Sequence, residues 1–509
     1  MDYVIGCDVG SQGTKAILLS ITGKVVREAY EGYSIDYPHP LWAEQSVDRW
    51  LNALTLTVRR LLSDSGVAAR NVRALSVAAQ VDGVIPIDSG GQPLYPAMIW
   101  MDRRAGGQCE HVREHLKDSQ IFQLTGLNLD PSHVAPKIRW LSDHRPQIYE
   151  RAAHFLLPGS YVAYALTGEL GVDYSNASST LLMDVQTKIW SPIMGNAFDI
   201  DLITLAPLDA ATATLGNLRP NLAEKLGLDV ETLVMVGCGD EHAACLGVGV
   251  TKPGIVGDIV GTAEPVCTAN REPVFDDTRL LETHCHADPD LWLLENPGFV
   301  SGGNYRWFRD QFAKNETYAA LDSEAAHVGP GAEGLIFLPS LMGALAPTWS
   351  EAARGTYAGF TLAHTRAHFV RALLEGSAYA VRDIITQMQV AGIELLELRV
   401  MGGGAKSHLW NQIKADVTGL QVNVPEITET TALGAAFLAL VGIGAYGTLT
   451  EVGEHIVKIR EHIEPDPATE PMYAEAYGRY RHTYFAMLPL FEDAAKRQPG
   501  ANRMINEQN

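Results

Sequence analysis

Two short segments carry the residue types that phosphate chemistry needs. In Asp8-Val9-Gly10-Ser11-Gln12-Gly13-Thr14-Lys15, Gly10 and Gly13 let backbone N–H groups, that of Gln12 included, approach an oxyanion closely. The hydroxyls of Ser11 and Thr14 can donate to it, and Lys15 adds positive charge, so the run reads as a phosphate nest in which Asp8 would hold an accompanying magnesium ion. A plain glycine hairpin capped by Asp8 fits the same spacing. In Gly237-Cys238-Gly239-Asp240-Glu241-His242, an acid stands where a strand gives way to a helix. Asp240 could there accept the proton of an attacking hydroxyl, a role worth about 10²- to 10⁴-fold in rate. Capping of the helix by the same carboxylate is the competing reading.

Two further glycine sites could face the other side of a polyphosphate. Gly261-Thr262 repeats the position of the Asp8 turn between two strands. Gly402-Gly403-Gly404-Ala405-Lys406-Ser407 would let a purine ring lie flat against backbone and would bring a helix N-terminus near an anion; ordinary loop glycine remains the alternative for both. Neither is a P-loop, since G-x-x-x-x-G-K-[ST] is missing from the sequence, and no G-x-G-x-x-G supports a dinucleotide-binding reading. Asp102-Arg103-Arg104 after Trp100 suits polyhydroxyl or anion recognition, or a solvated turn. On a strand, His284-Cys285-His286 would alternate faces, so this cluster is expected to be structural and not a metal site.

The elements that must carry these residues follow from hydrophobic period. Residues 3 to 9 predict a buried strand, GSQG a tight turn, KAILLS a returning strand, and Thr22-Gly23 a second hairpin. From Val47, the apolar residues Trp50, Leu51, Leu54, Val58, Leu61 and Leu62 recur at helical spacing behind Ser46 or Asp48 as N-cap. The strand ALSVAAQ comes next. The same grammar restarts at LVMVGCGD (233 to 240) and again at LRVMGGGAKSHLWNQIKADVTG (398 to 419), which suggests a duplication. Strands followed by alternating helices and strands describe an α/β chain with mixed sheets, most economically two domains with a cleft between them.

Bulk properties narrow the setting. A chain of 509 residues exceeds what one core holds, so more than one domain is expected. Its formal charge of −21 repels phosphate backbones and anionic headgroups, which argues against nucleic-acid and membrane partners. Six scattered cysteines without a C-x-x-C pair fit a reduced cytoplasm. The opening MDYVIGCDVG is acidic where an export signal is basic. Residues 431 to 447 are rich in Ala and Gly and too short to span a bilayer, so a buried helix is predicted there.

These segments resemble the FGGY family of carbohydrate kinases, nearly from end to end. SHVAPKIRWLSDH (132 to 144) is similar to the family's first signature, with Val134 in place of the usual Pro, Ser or Thr. GTYAGFTLAHTRAHFVRALLE (355 to 375) is similar to its second, with Phe360 in place of an aliphatic residue. The resemblance implies two ribonuclease H-like domains of the actin, sugar kinase and Hsp70 superfamily with an interdomain cleft. Residues 1–245 would bind sugar and carry the phosphate loop, 246–490 would bind ATP, and 491–509 would form a polar tail. It further implies a magnesium-ATP site made by Asp8 to Thr14, Gly261-Thr262 and Gly402 to Ala405. Asp240 would be the catalytic base and a metal neighbour beside Asp8. The acceptor would be met by Gln80, Val81, Asp82, Trp100, Asp102, Arg103, Asp240 and Glu241. LWAEQSVDRW, IWMDRRA and SGGNYRWFRD are similar to segments of the family's xylulokinase branch, making D-xylulose the first candidate. That branch has Gly-Gln-Met-His-Gly where this chain has Ala79-Gln80-Val81-Asp82-Gly83, which keeps ribulose, ribitol, erythritol and glycerol open. Arg103 also replaces a glycine of that branch, as in glycerol kinases. A homodimer is a family habit. The rivals from other classes are a sugar sensor without catalysis and an actin-like ATPase.

Overall fold

The computed structural model describes residues 1–427 and 429–497. They form two compact units. Unit 1 comprises Met1–Pro253, Ala269–Leu294 and 429–458, and unit 2 comprises Gly254–Thr268, 295–427 and 459–497. The chain therefore returns twice to unit 1, and its compact units are a different division from the sequence-contiguous halves 1–245 and 246–490.

Unit 1 is built on β1 (Tyr3–Val9), β2 (Gly13–Ser20), β3 (Val25–Gly32), β4 (Val72–Ala79), β5 (Thr214–Asn217), β6 (Leu233–Met235) and β7 (Cys238–Gly239). Their order is β3-β2-β1-β4-β6-β5, with β7 beside β4. β1 runs antiparallel to β2 and parallel to β4. Val4, Ile5, Cys7 and Val9 are all buried, the near-continuous apolar run of a strand covered on both faces. α1 (Val47–Ser65) packs on this sheet through Trp50, Leu54, Val58 and Leu61. Ser46, one of the two N-caps the sequence suggests, caps it by accepting from Asp48 N, and Gly66 ends it in the left-handed region at φ 69°.

Unit 2 repeats the plan with β8 (Gly254–Val260), β9 (Ala263–Asn270), β11 (Trp292–Val300), β12 (Leu395–Gly402), β13 (Gln421–Pro425) and β14 (Ile459–Ile463), in the order β11-β9-β8-β12-β13-β14. β8 is antiparallel to β9 and parallel to β12, as β1 is to β2 and β4. This matching order gives the suspected duplication a structural counterpart. β10 (Glu282–Cys285) lies in unit 1, where Thr283 N donates to Gly126 O at 2.9 Å.

Four helices matter below. α2 (Val134–His144) and α3 (Asp240–Gly247) belong to unit 1, α4 (Gly302–Phe312) and α6 (His408–Thr418) to unit 2. α5 (Arg366–Val390) precedes α6, and α7 (Thr430–Gly442) is the buried helix predicted from residues 431 to 447. α8 (Glu470–Arg497) buries Tyr473, Tyr480 and Tyr484. It also includes residues 491–497, which the sequence suggested as tail; the rest of that tail, 498–509, lies outside the described residues. Among the described residues, no helix is long and apolar enough to cross a membrane.

Candidate active site

Strand register brings the unit 1 acids to one edge. Asp8, next to last in β1, is the partner of Ala78 in β4, and β7 adds Cys238↔Ala78 and Gly239↔Ala79 on the other side. Parallel strands in register end together. Gln80-Val81-Asp82 after β4, Asp240 after β7 and the turn after β1 therefore emerge side by side, at the carboxyl edge where open α/β sheets bind ligands. The strand predicted over 233 to 240 is broken at Gly237, whose φ of 81° needs glycine and whose Cβ would stand 2.1 Å from Val77 O. That break turns Asp240 onto the first residue of α3.

Both principal acids are half-buried. Burial, and then the like charge of Asp240, hold the Asp8 carboxyl well above its ordinary range, and its Oδ1 has no hydrogen-bond partner. Burial also pushes Asp240 up, to about 6, with Asp82 adding to the rise and N–H donors, among them those of Glu241 and Val81, opposing it. The Glu241 N–H lies 2.9 Å from Asp240 Oδ1. At neutral pH Asp240 is thus ionised and able to accept a proton, near the value that suits a general base.

The β1–β2 turn is held by its neighbours. Gly10 N donates to Gly13 O, Tyr33 OH to Gly10 O at 2.7 Å, and Tyr30 OH to Gln12 O at 3.0 Å. Ser11 Oγ accepts from the half-exposed Trp100 indole at 2.8 Å and lies 3.3 Å from Gln80 Oε1. Gln45, which the sequence reading missed, accepts from Gln80 and Trp50 and donates to Ser11 O at 2.7 Å. Thr14 is buried. Lys15, expected to add charge for a phosphate, forms an ion pair with Glu429 at 2.7 Å and a longer one with Glu28 at 3.7 Å.

Other predicted acceptor residues have different surroundings. Asp102 is wholly buried and bound by Ala43 N at 2.7 Å and by Arg104 at 2.6 Å. Its surroundings make it the anchor of Arg104, which also pairs with Glu44 and lies 3.6 Å over the Trp42 ring. Arg103 pairs with Asp130 through two hydrogen bonds of 2.9 and 2.8 Å. Asp82 takes the left-handed backbone at φ 57°, tolerated by Asp but strained for most residues. Its Oδ1 is 3.2 Å from His133 Nδ1, and its carbonyl accepts from Lys137 Nζ at 2.7 Å. His133 and Lys137 were hidden inside a signature segment, the only trace being a basic residue one helical turn from a histidine. The expected structural role of the histidine cluster fits what surrounds it: His286 lies 2.9 Å from Val250 O, and the buried His284 ring packs edge-on to His242.

In unit 2 the two glycine loops adjoin, because Val260 and Gly402 are register partners. Gly402 has φ 81°, and a Cβ there or on Gly404 would come within 2.7 or 2.2 Å of Val260. Gly403 and Ala405 complete the loop, with Ala405 O accepting from Asn411 at 3.0 Å. Thr262 O accepts from Ser301 N and Gly303 N, and Thr262 Oγ1 from Arg306 at 2.6 Å; Gly261 N bonds back to Ala263 O. These backbone-lined cradles fit phosphate, and Asp8, whose Oδ1 has no hydrogen-bond partner, together with Asp240 fits a hard divalent cation.

The sheet plan is shared with solved sugar kinases. Xylulose kinase from Rhodospirillum rubrum superposes with a TM-score of 0.90 at 28% identity, covering 96% of this chain and all of that one. The sequence matches the N-terminal domain of the FGGY family of carbohydrate kinases over residues 3–247 and the C-terminal domain over 259–443. Among its relatives, xylulose kinase of Staphylococcus epidermidis is 30% identical over 486 residues, 95% of this chain and 96% of that protein. Gluconokinase of Bacillus subtilis is 29% identical over 90% of this chain and 91% of its own length. The chain belongs to the FGGY family of carbohydrate kinases, with the actin, hexokinase and Hsp70 type of fold.

Proposed function

We propose that this protein transfers the γ-phosphoryl group of ATP to a hydroxyl of a small ketose or polyol in the cytoplasm, with D-xylulose the first acceptor to test. The observation that carries this reading is Asp240, a half-buried carboxylate on a helix start with its pKa raised to about 6, at the same sheet edge as Asp8 and the Gln80–Asp82 segment. Magnesium-ATP supplies the phosphoryl group, its metal held by Asp8 and Asp240 and its phosphates by the 10–14, 261–262 and 402–405 loops. Asp240 accepts the proton of the attacking hydroxyl, Gln80 and Trp100 fix the turn after β1 through Ser11, and the filled site leaves no room for water that would otherwise compete. In this reading residues 1–245 handle the acceptor and 246–490 the nucleotide.

The test is ADP release with and without D-xylulose, D- and L-ribulose, erythritol, ribitol and glycerol. Sugar-dependent release is expected. Binding without turnover would make the chain a sensor, and release that ignores every sugar would make it an ATPase of another kind.

A further inference from the structure

We propose that Asp82, braced by His133, determines acceptor specificity and restricts the site to uncharged polyhydroxy compounds, rejecting sugar acids. This inference rests on the kinase reading and names its substrate class. Relatives of nearly equal identity include both a xylulose kinase and a gluconokinase, so overall likeness does not choose between neutral sugars and aldonates.

The choice falls to the charges around Asp82. His133 is held protonated: burial opposes its charge, but Asp82 foremost, with Glu282 and Asp130, raises it to about 9. One imidazolium thus stands among three acids and is already bound to the first of them. Lys137 is fully buried and spends its ammonium on the carbonyls of Asp82 and Ile99, both at 2.7 Å. Arg103 and Arg104 are held by Asp130 and by Asp102 with Glu44. A substrate carboxylate entering here would meet repulsion and find each of these cations committed. A hydroxyl, by contrast, can donate to the Asp82 carboxylate, which keeps 12% of its side-chain surface open. The Lys137 clamp on the left-handed Asp82 backbone fixes where that acceptor points, as specificity by hydrogen bonding requires.

The experiment compares kcat/KM for D-xylulose, D-ribulose and ribitol with that for D-gluconate, using the full chain and magnesium-ATP. A preference of at least about 100-fold for the best neutral acceptor is expected. Asp82→Asn should raise KM for that acceptor and narrow the gap to gluconate by about tenfold or more. His133→Leu should raise KM about tenfold while kcat moves far less, and His133→Gln, which keeps a donor toward Asp82, should recover most of the loss. Calorimetry on Asp240→Asn reads binding without turnover. Heat with a neutral sugar and none with gluconate supports the inference even if turnover fails and the kinase reading falls. Gluconate used or bound as well as the neutral sugars, no binding of either, or an unchanged ratio in Asp82→Asn overturns it, and the first and last of these leave the kinase reading standing.

Discussion

The two units share a sheet plan but treat buried charge in opposite ways. In unit 2, Asp258 on β8 and Glu264 on β9 meet Lys414 of α6, and all three side chains are essentially inaccessible. Burial alone would raise Asp258 and lower Lys414, yet each is pulled back toward its charged form by its partner. In unit 1, Asp8 and Asp240 are half-buried and repel one another, and Lys15, which only partly offsets the rise at Asp8, is drawn to Glu429 and Glu28. A paired charge in a core holds elements in place. An unpaired acid raises the free energy of the empty site, and that is kept only where a ligand relieves it.

Substitutions can break this contrast. The largest effect is expected from Asp240→Asn, which should lower kcat by about 10²- to 10⁴-fold while the melting temperature holds or rises; turnover within a few-fold of wild type would place the base elsewhere. Next comes Lys414→Met, which strands two buried carboxylates and should remove about 3–5 kcal/mol of stability in urea unfolding. Adding Asp258→Asn and Glu264→Gln to it should restore most of that loss. Asp8→Asn should stabilise the protein by about 0.5–2 kcal/mol and sharply raise the magnesium needed for activity. A variant that is both active at ordinary magnesium and less stable would erase the distinction between the units.

The smallest effect concerns pH. The folded-state pKa of His133, about 9, lies above its ordinary 6.5. Its contribution to stability is therefore complete below about 6.5 and is lost as pH rises through about 9. A fall of about 1–3 °C in melting temperature across that window is expected, and Asp82→Asn should flatten it. A slope of the same size in the variant would assign the effect to other groups.

Local patterns made much of this legible in the sequence. β1, its turn and β2 follow from the apolar run of residues 3 to 9 and the glycines of one hairpin, and α1 from a 3.6-residue period that begins behind Ser46. The acids at positions 8 and 240 were visible because each sits beside glycines at the end of an apolar run. What stayed hidden depends on contacts between distant residues. Asp82 and His133 are 51 positions apart, and nothing in either neighbourhood announces the other. Asp102 read as part of a polyhydroxyl- or anion-binding segment, or of a solvated turn, whereas Arg104 folds back on it and lies over the Trp42 ring. The break at Gly237 was unseen because a glycine in a strand and a glycine ending one look alike until the backbone angle is known.

The return of α7 to unit 1 bears on how the protein is made. Residues 432 to 440 of this helix are buried, and it crosses β1 so closely that a side chain on Gly6 would strike Ala432 O at 2.0 Å. During synthesis the central strand leaves the ribosome first, and its covering helix follows nearly 190 residues after the first segment of unit 1 ends at Pro253. At about 5–20 residues per second that is a wait of roughly 10–40 s. Through that interval an apolar sheet face lacks its lid, which makes the nascent chain a natural client for chaperones and makes a fragment ending at 253 prone to aggregate.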